Sequence, residues 1–289
     1  LLISSSILKQ NKSKKQLKLV ILMSKRPFIT ITTDFGLRDG YDAAMKGVIY
    51  SICPDAIVVD ISHQINKFDI MHGALVIAST ASDFPKGTVH IGVIDPGVGT
   101  SRRGIAIKTK NYVFVGPDNG LFSLAAELDG IEAIYELKNK KYFRPIISST
   151  FHGRDIFAPV AAHIACGVPV ANVGPQINEY IKKSFSEPKV SKNSIEGIIL
   201  HIDSFGNIST NIHKKYIEEF GLKFGDWLKC VIGEKEYKIP FVETFGKVQV
   251  GELHALIGSS NFFDLAINQG NAAKFLKVKQ GVPVKLEKL

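Results

Sequence analysis

Four short apolar runs rich in β-branched residues each stop at a small polar turn, and this repeated stop constrains the fold more than anything else in the chain. Phe28 to Thr32 runs into TDFG, Ala56 to Ile61 into SHQI, Val89 to Ile94 into DPGVG, and Tyr112 to Val115 into GPDNG. Between them lie stretches with helical character: Tyr41 to Ile52, Asp69 to Ser82 and Leu121 to Leu128. Strands that alternate with helices of this length indicate βαβ units, and hence a mainly parallel sheet with helices on its faces. The expected fold class is α/β, with a second, smaller β part.

A further helix is expected from Ile156 to Cys166, after STFHGRD. The polar stretch Lys182 to Ser194 has no apolar periodicity and contains Pro188, which reads as a linker. Beyond it, Ile195 to Ile202, Trp227 to Ile232, Tyr237 to Phe241 and Val282 to Leu286 read as short strands of an antiparallel, barrel-like domain. The expected division is a leader (1–26), an N-terminal α/β domain (27–181), a linker (182–194) and a C-terminal β domain (195–289). The leader reads as an over-extended start or a disordered segment, because its apolar patch is too short for a secretory h-region and Met23 precedes SKRPFITITTDFG like a true start.

Charge narrows the partners. The formal net charge is +9, but the first 26 residues carry seven basic side chains and no acidic one, which leaves only about +2 for the remainder. A nucleic-acid groove needs clustered Lys and Arg in the folded part, so no nucleic-acid partner is expected. No apolar run approaches the roughly 18 residues of a membrane span. Cys53, Cys166 and Cys230 are odd in number, far apart and without a C-x-x-C pair. They are expected to be reduced and buried rather than bridged or bound to zinc, in a cytoplasmic protein.

In open parallel sheets, ligands gather beyond the carboxyl ends of the strands. Asp34, Asp60, Asp95 and Asp118 all fall there. Each alone can be an ordinary turn residue, but four on one predicted sheet edge point to a shared site. In DPGVGTSRR, the bends at Pro96, Gly97 and Gly99 can return Arg102 to Asp95, as a structural ion pair or as a means of keeping the carboxylate ionised. Apart from Phe151, the residues around His152 in STFHGRD are small or polar, which suits a site or a helix cap. In HIDSFGN, Asp203, Phe205 and Asn207 form either a hairpin turn or a platform for a flat heterocycle. Ser259 and Ser260 after Gly258 either hold a carboxylate or cap a helix. Zinc-hydrolase, P-loop and α/β-hydrolase motifs are absent. Two alternatives stay open: a magnesium-dependent phosphohydrolase using Asp34, Asp60, Asp95 and His63, and a nucleoside or S-adenosylmethionine binding protein without turnover.

As an ordered set, TTDFG, VIDPGVGTSRR, PDNG, STFHGRDIFAPVAAH and IDSFGN, spread from about Phe28 to Leu286, resemble the S-adenosylmethionine hydroxide adenosyltransferases, relatives of the fluorinase and chlorinase enzymes. The resemblance implies hydrolysis of S-adenosyl-L-methionine by activated water or hydroxide at ribose C5′, giving adenosine and L-methionine without cofactor or metal. It implies a homotrimer with sites between subunits. It assigns water activation to Asp95, Arg102 and His152, and the ribose hydroxyls to Asp34. The methionine ammonium falls to Asp39 and Asp203, its carboxylate to Ser259 and Ser260, and adenine to Phe205, Asn207 and Phe245. Phe68 stands where halogenating relatives have tryptophan beside the ribose. Asp95 in place of their aromatic residue, and the missing loop after the strand near Ile107, favour water over halide.

Overall fold

The computed structural model describes residues 26–183 and 186–289, and residues 1–25 of the expected leader lie outside them. Two compact units divide the chain, 1–183 and 184–289.

The N-terminal unit contains β1 (Phe28–Thr33), α1 (Tyr41–Ile52), β2 (Ile57–Ser62), α2 (Ile70–Thr80), β3 (Val89–Val93), β4 (Gly104–Thr109), β5 (Val113–Pro117), α3 (Ser123–Asp129) and β6 (Ile131–Glu136). A π-helical turn (Gly153–Phe157) leads directly into α4 (Ala158–Ala165), and β7 (Gln176–Ile177) completes the sheet. The strand order is β2-β1-β3-β5-β4-β6-β7. The first four are parallel and the rest antiparallel, so the sheet is mixed; β4 is the strand near Ile107, and β6 and β7 are additions to the strands expected above. The parallel strands are mostly apolar and β-branched because both faces are covered, and the buried polar Thr30 and His90 bond each other at 2.8 Å. Ile29 and Ile31 pack with Met45 and Ile49 of α1 and Val160 of α4, while Ile77 of α2 and Phe122 and Ala126 beside or within α3 pack on the opposite side. The chain goes from β1 to β2 on one side and then to β3 on the other. This reversal opens a crevice at the ends of β1 and β3, the usual ligand position in such sheets.

The expectation of three reduced cysteines is corrected. Cys53 at the end of α1 and Cys166 at the end of α4 form a disulfide across 113 residues, because the two helices pack side by side and bring these Cα atoms to 5.9 Å. Cys230 remains a buried thiol, pushed up to about 12 by burial. Closing so long a loop restricts the unfolded chain, so Cys53→Ser is expected to cost about 2–3 kcal/mol. The check is thermal unfolding of the variant beside the oxidised and reduced wild type, in which reduction should reproduce the loss.

The C-terminal unit is an antiparallel, nearly closed barrel-like sheet of β8 (Lys189–Val190), β9 (Ser194–Ile202), β10 (Ile208–His213), β11 (Trp227–Ile232), β12 (Lys235–Pro240), β13 (Leu253–Ile257), β14 (Phe262–Ile267) and β15 (Pro283–Lys288). Its order is β12-β11-β15-β9-β10-β14-β13, with β8 on β9. A bridge between Phe241 and Ala255 brings the two ends together. Two short helices, α5 (Lys214–Glu219) and α6 (Ala272–Leu276), flank it. Within the stretch read as linker, Lys189 and Val190 pair with Glu196 and Ile195. Among the described residues, no helix is long and apolar enough to cross a membrane.

Candidate active site

Asp95 follows β3 in a turn closed by Val98 N–H donating to the Asp95 carbonyl at 3.2 Å. Asn119 of the PDNG turn donates its Nδ2–H to the Ile94 carbonyl at 2.8 Å and fixes the strand end. Gly99 has φ +78°, and a Cβ there would stand 2.3 Å from the Ser149 carbonyl oxygen. Only glycine lets the Asp95 loop approach the segment before His152 this closely.

The approach gathers three polar side chains. Arg102 Nε donates to Asp95 Oδ1 at 3.0 Å, and its Nη2 donates to Oδ2 at 2.5 Å. The same Nη2 also donates to His152 Nδ1 at 3.0 Å. A guanidinium has no acceptor, so Nδ1 is the acceptor and neutral His152 carries its proton on Nε2. The Asp95 and Arg102 side chains are only 5% and 10% exposed, and Phe157 lies under the guanidinium at 5.4 Å. Burial pushes the Asp95 carboxyl above its ordinary range, against the pull of Arg102 and its hydrogen bond. Burial, reinforced by the Arg102 charge, lowers the His152 pKa. The bidentate Arg102 guanidinium favours the carboxylate form of Asp95, and the lowered pKa favours the neutral imidazole of His152.

Asp95 and His152 line a cavity of about 340 Å³ together with Asp34, Asp39 and Phe68. Asp34, at the end of β1, is buried and accepts the Phe68 N–H on Oδ2 at 2.9 Å. Lys67 Nζ donates to the Asp34 carbonyl. Phe68 has φ 64° and is 69% exposed. The TDFG turn is itself tied down: Thr33 Oγ1 bonds His63 Nδ1 at 2.8 Å, and Gly36 N–H donates to the His63 carbonyl at 2.6 Å. Phe35, Tyr41 and Phe151 line the same cavity and meet edge to face at 5.3–5.9 Å. Sequence reasoning missed these three and Lys67. Phe35 and Phe151 adjoin Asp34 and His152 in their motifs, a signal that was available; Lys67 left none.

Not every strand-end aspartate belongs to this cavity. Asp118 accepts from Arg103 Nη2 at 2.6 Å and from the Ile181 N–H at 2.7 Å, which ties a strand end to the segment after β7. Asp60 joins Asp42 and His63. There Lys46 Nζ lies 2.6 Å from Asp60 and 3.1 Å from Asp42 and pairs with both carboxylates. The oxygen-rich set of Asp34, Asp60, Asp95 and His63 is therefore split between two places.

In the C-terminal unit, Asp203 Oδ1 accepts the N–H groups of Phe205 and Asn207, each at 2.9 Å, and Oδ2 accepts Asn207 Nδ2 at 2.9 Å. This is the hairpin turn between β9 and β10, and it leaves the Phe205 ring 76% exposed. Phe245 is 43% exposed and stands edge-on to His254 at 5.7 Å. Ser259 and Ser260 occupy the turn between β13 and β14, so Ser259 caps no helix.

This fold and site define an enzyme with a buried acid poised at the end of a parallel strand, and comparison with known proteins places it. Sequence models of the N-terminal and C-terminal domains of the SAM hydroxide adenosyltransferases match residues 29–174 and 197–285, and the chain belongs to that family. A relative from Salinispora tropica named (R)-S-adenosyl-L-methionine hydrolase is 37% identical over 90% of this chain and 97% of its own. One of the same name from Methanocaldococcus jannaschii is 40% identical over 86% and 92%. A fluorinase from an Actinoplanes species is 30% identical over 91% and 98%. The crystal structure of a conserved Thermotoga maritima protein, 38% identical, superposes with a TM-score of 0.87 over 90% of this chain and all of that one.

Proposed function

We propose that the protein hydrolyses S-adenosyl-L-methionine at ribose C5′ to adenosine and L-methionine, with Asp95, Arg102 and His152 activating the water. The observation that carries this reading is the single guanidinium that clamps both Asp95 oxygens and donates to His152 Nδ1. The water is held between two groups of opposite character. The Asp95 carboxylate accepts one of its protons, and His152 Nε2–H donates to its oxygen, leaving a lone pair for C5′. The O–C5′ bond forms as the C5′–S bond breaks, and that electron pair neutralises the sulfonium. Methionine leaves as an uncharged thioether, so no acid is needed at sulfur, and the water proton passes to Asp95. Alignment of this kind contributes roughly 7–11 kcal/mol in favourable cases.

The remaining assignments have local support. Asp34 faces the cavity with one oxygen fixed by Phe68 N–H, which suits the ribose hydroxyls, with Phe68 beside them. Asp39 and the aromatic trio suit a cationic sulfonium and ammonium. Asp203, Phe205, Asn207 and Phe245 serve the amino-acid and adenine ends, and Ser259 and Ser260 the carboxylate. The exposure of Phe68, Phe205 and Phe245 fits surfaces covered by substrate or by a neighbouring subunit, consistent with a homotrimer that closes its sites between subunits. A cytoplasmic location suits this substrate. Because L fixes the α-carbon, the (R) in the relatives' names describes the sulfur, and we extend that epimer preference to this chain.

Incubation with each sulfur epimer in oxygen-18 water, with and without chelator, tests the reading. Adenosine labelled at C5′, formed faster from the (R) epimer and unaffected by chelator, is expected. Unchanged substrate at binding concentrations would instead favour a binding protein, and loss of product with chelator would favour a metal site. Asp34→Ala removes both the ribose contact and the Phe68 tether. It is expected to raise KM about ten- to a hundredfold, the cost of one or two charged hydrogen bonds, with a smaller change in kcat, as steady-state kinetics will show.

A further inference from the structure

Asp264 on β14 is used by no step above, yet its surroundings are unusual. Phe263, Leu265 and Ile267 fill the barrel core, so Asp264 points to the other face. Among the described residues, its Oδ1 is buried without a hydrogen-bond partner. Its carboxyl lies against the Gly258 backbone so closely that a Cβ there would stand 2.0 Å from Oδ2. Gly258 opens the turn bearing Ser259 and Ser260, closed by Gly258 N–H donating to the Phe262 carbonyl at 2.9 Å.

Three other titratable groups face it. Asp203 acts on it across the hairpin turn. His201 of β9 lies in the same cross-strand row through Ser209. His254 of β13 pairs with Ala266, two positions along the same face, and burial lowers its pKa. From β13, the direct neighbour is the apolar Leu256.

We propose that Asp264 is a positioning residue for the amino-acid end of the substrate: its carboxyl supports the Gly258–Ser260 turn from behind, and the turn accepts the substrate carboxylate while Asp264 is protonated and rejects it once Asp264 ionises. The inference rests on the assignment of Ser259 and Ser260 to that carboxylate. Two features of the geometry drive it. A buried oxygen without a donor disfavours a negative charge, and so does the neighbouring Asp203. Burial, with Asp203 adding to it and the Ser209 hydroxyl opposing it, pushes Asp264 up to about 7. The sign follows: below that value the acid is neutral and the turn receptive, and above it a second anion sits behind the bound carboxylate.

The test compares KM for S-adenosylmethionine in wild type and Asp264→Asn at about pH 6 and about pH 8.5, either side of the titration. Titration of the substrate itself is common to both proteins and cancels. Wild-type KM should rise about three- to tenfold more than that of the variant, the repulsion of two like charges several ångströms apart in a partly wet site, with the difference in KM rather than kcat. Parallel profiles would overturn the proposal. The wild type alone gives a second reading that needs no variant to fold. S-Adenosyl-L-homocysteine, which carries the same carboxylate, should bind with net proton uptake near neutral pH when calorimetry is run in two buffers of different ionisation enthalpy. Absence of uptake counts against the proposal. Decarboxylated S-adenosylmethionine separates the possible failures. A preference for the carboxylated substrate that ignores pH sinks Asp264 alone, and no preference at any pH sinks the Ser259–Ser260 assignment with it. Proton uptake without any hydrolysis leaves Asp264 standing and overturns the catalytic reading.

Discussion

Asp95→Asn is expected to lower kcat by roughly two to four orders of magnitude, the span attributed to a positioned general base, while KM changes far less. Asparagine keeps the shape and can still accept from Arg102, so the turn after β3 should survive. What it loses is the ability to take a proton from water, an interaction realised only in the transition state, and such losses appear in kcat and kcat/KM together. The wild-type pH profile carries a second signature. Activity requires the ionised carboxylate, so it is present above the Asp95 pKa and lost as pH falls through it. Burial raises that pKa, so the acid limb should lie above the ordinary carboxylate range. Arg102→Met removes the group that opposes burial and should move the limb further toward neutral. A full pH–rate profile for the three proteins decides the matter; an Asp95→Asn enzyme with wild-type kcat would dismiss Asp95 as the base.

Asp155→Ala is expected to cost about 3 kcal/mol, at the low end for a broken buried ion pair, and to lose most turnover in the protein that still folds. Asp155 is fully buried and binds three partners. Arg154 Nε and Nη2 donate at 2.7 and 2.9 Å, Arg144 Nη1 at 3.2 Å, and the Ser148 N–H at 2.8 Å. Burial opposes its charge, but these donors hold its pKa below the usual value. The discount to the low end reflects the two guanidiniums, 32% and 43% exposed, which keep part of their hydration. Ser148, by contrast, loses its carboxylate acceptor. Because this cluster secures the segment just before His152, and Arg154 also stacks on Phe151 at 4.9 Å, its loss should free His152 from Arg102. Denaturant unfolding gives the stability, and kcat of the folded fraction gives the catalytic part. An enzyme destabilised but fully active would show that His152 needs no such support.

The sequence exposed the parallel half of the N-terminal sheet because strands covered on both faces are mostly apolar and β-branched, as in the VFV of Val113–Val115. It hid β6, whose six-residue IEAIYE run is short and breaks alternation at Ala133–Tyr135, and β14, whose FFDLAI invited a helical reading after Ser259. The motif turns carrying Asp34, Asp95 and His152 were legible because glycine and proline mark where a chain must bend. Which strand-end aspartates share a cavity was not legible. Asp60 and Asp118 have the same local chemistry as Asp34 and Asp95, but folding ties them to Lys46 and Arg103 outside the cavity that Asp34 and Asp95 line. The Cys53–Cys166 pairing was invisible for the same reason, since it depends on two helix ends that meet only after the sheet has formed. Asp264 resembles any polar residue on an outward-facing strand position until Gly258 is seen to lie against it.

The π turn at Gly153–Phe157 holds one more residue than the α turn it replaces. The wide turn absorbs that extra residue locally, with Ala158 N–H reaching five residues back to the Gly153 carbonyl. A one-residue deletion would tighten it to α spacing while the chain on either side keeps its direction. Residue number is thus buffered at this point, and the site depends on what the turn carries: Asp155, which anchors Ser148 and Arg154, and Phe157, which lies under the Arg102 guanidinium.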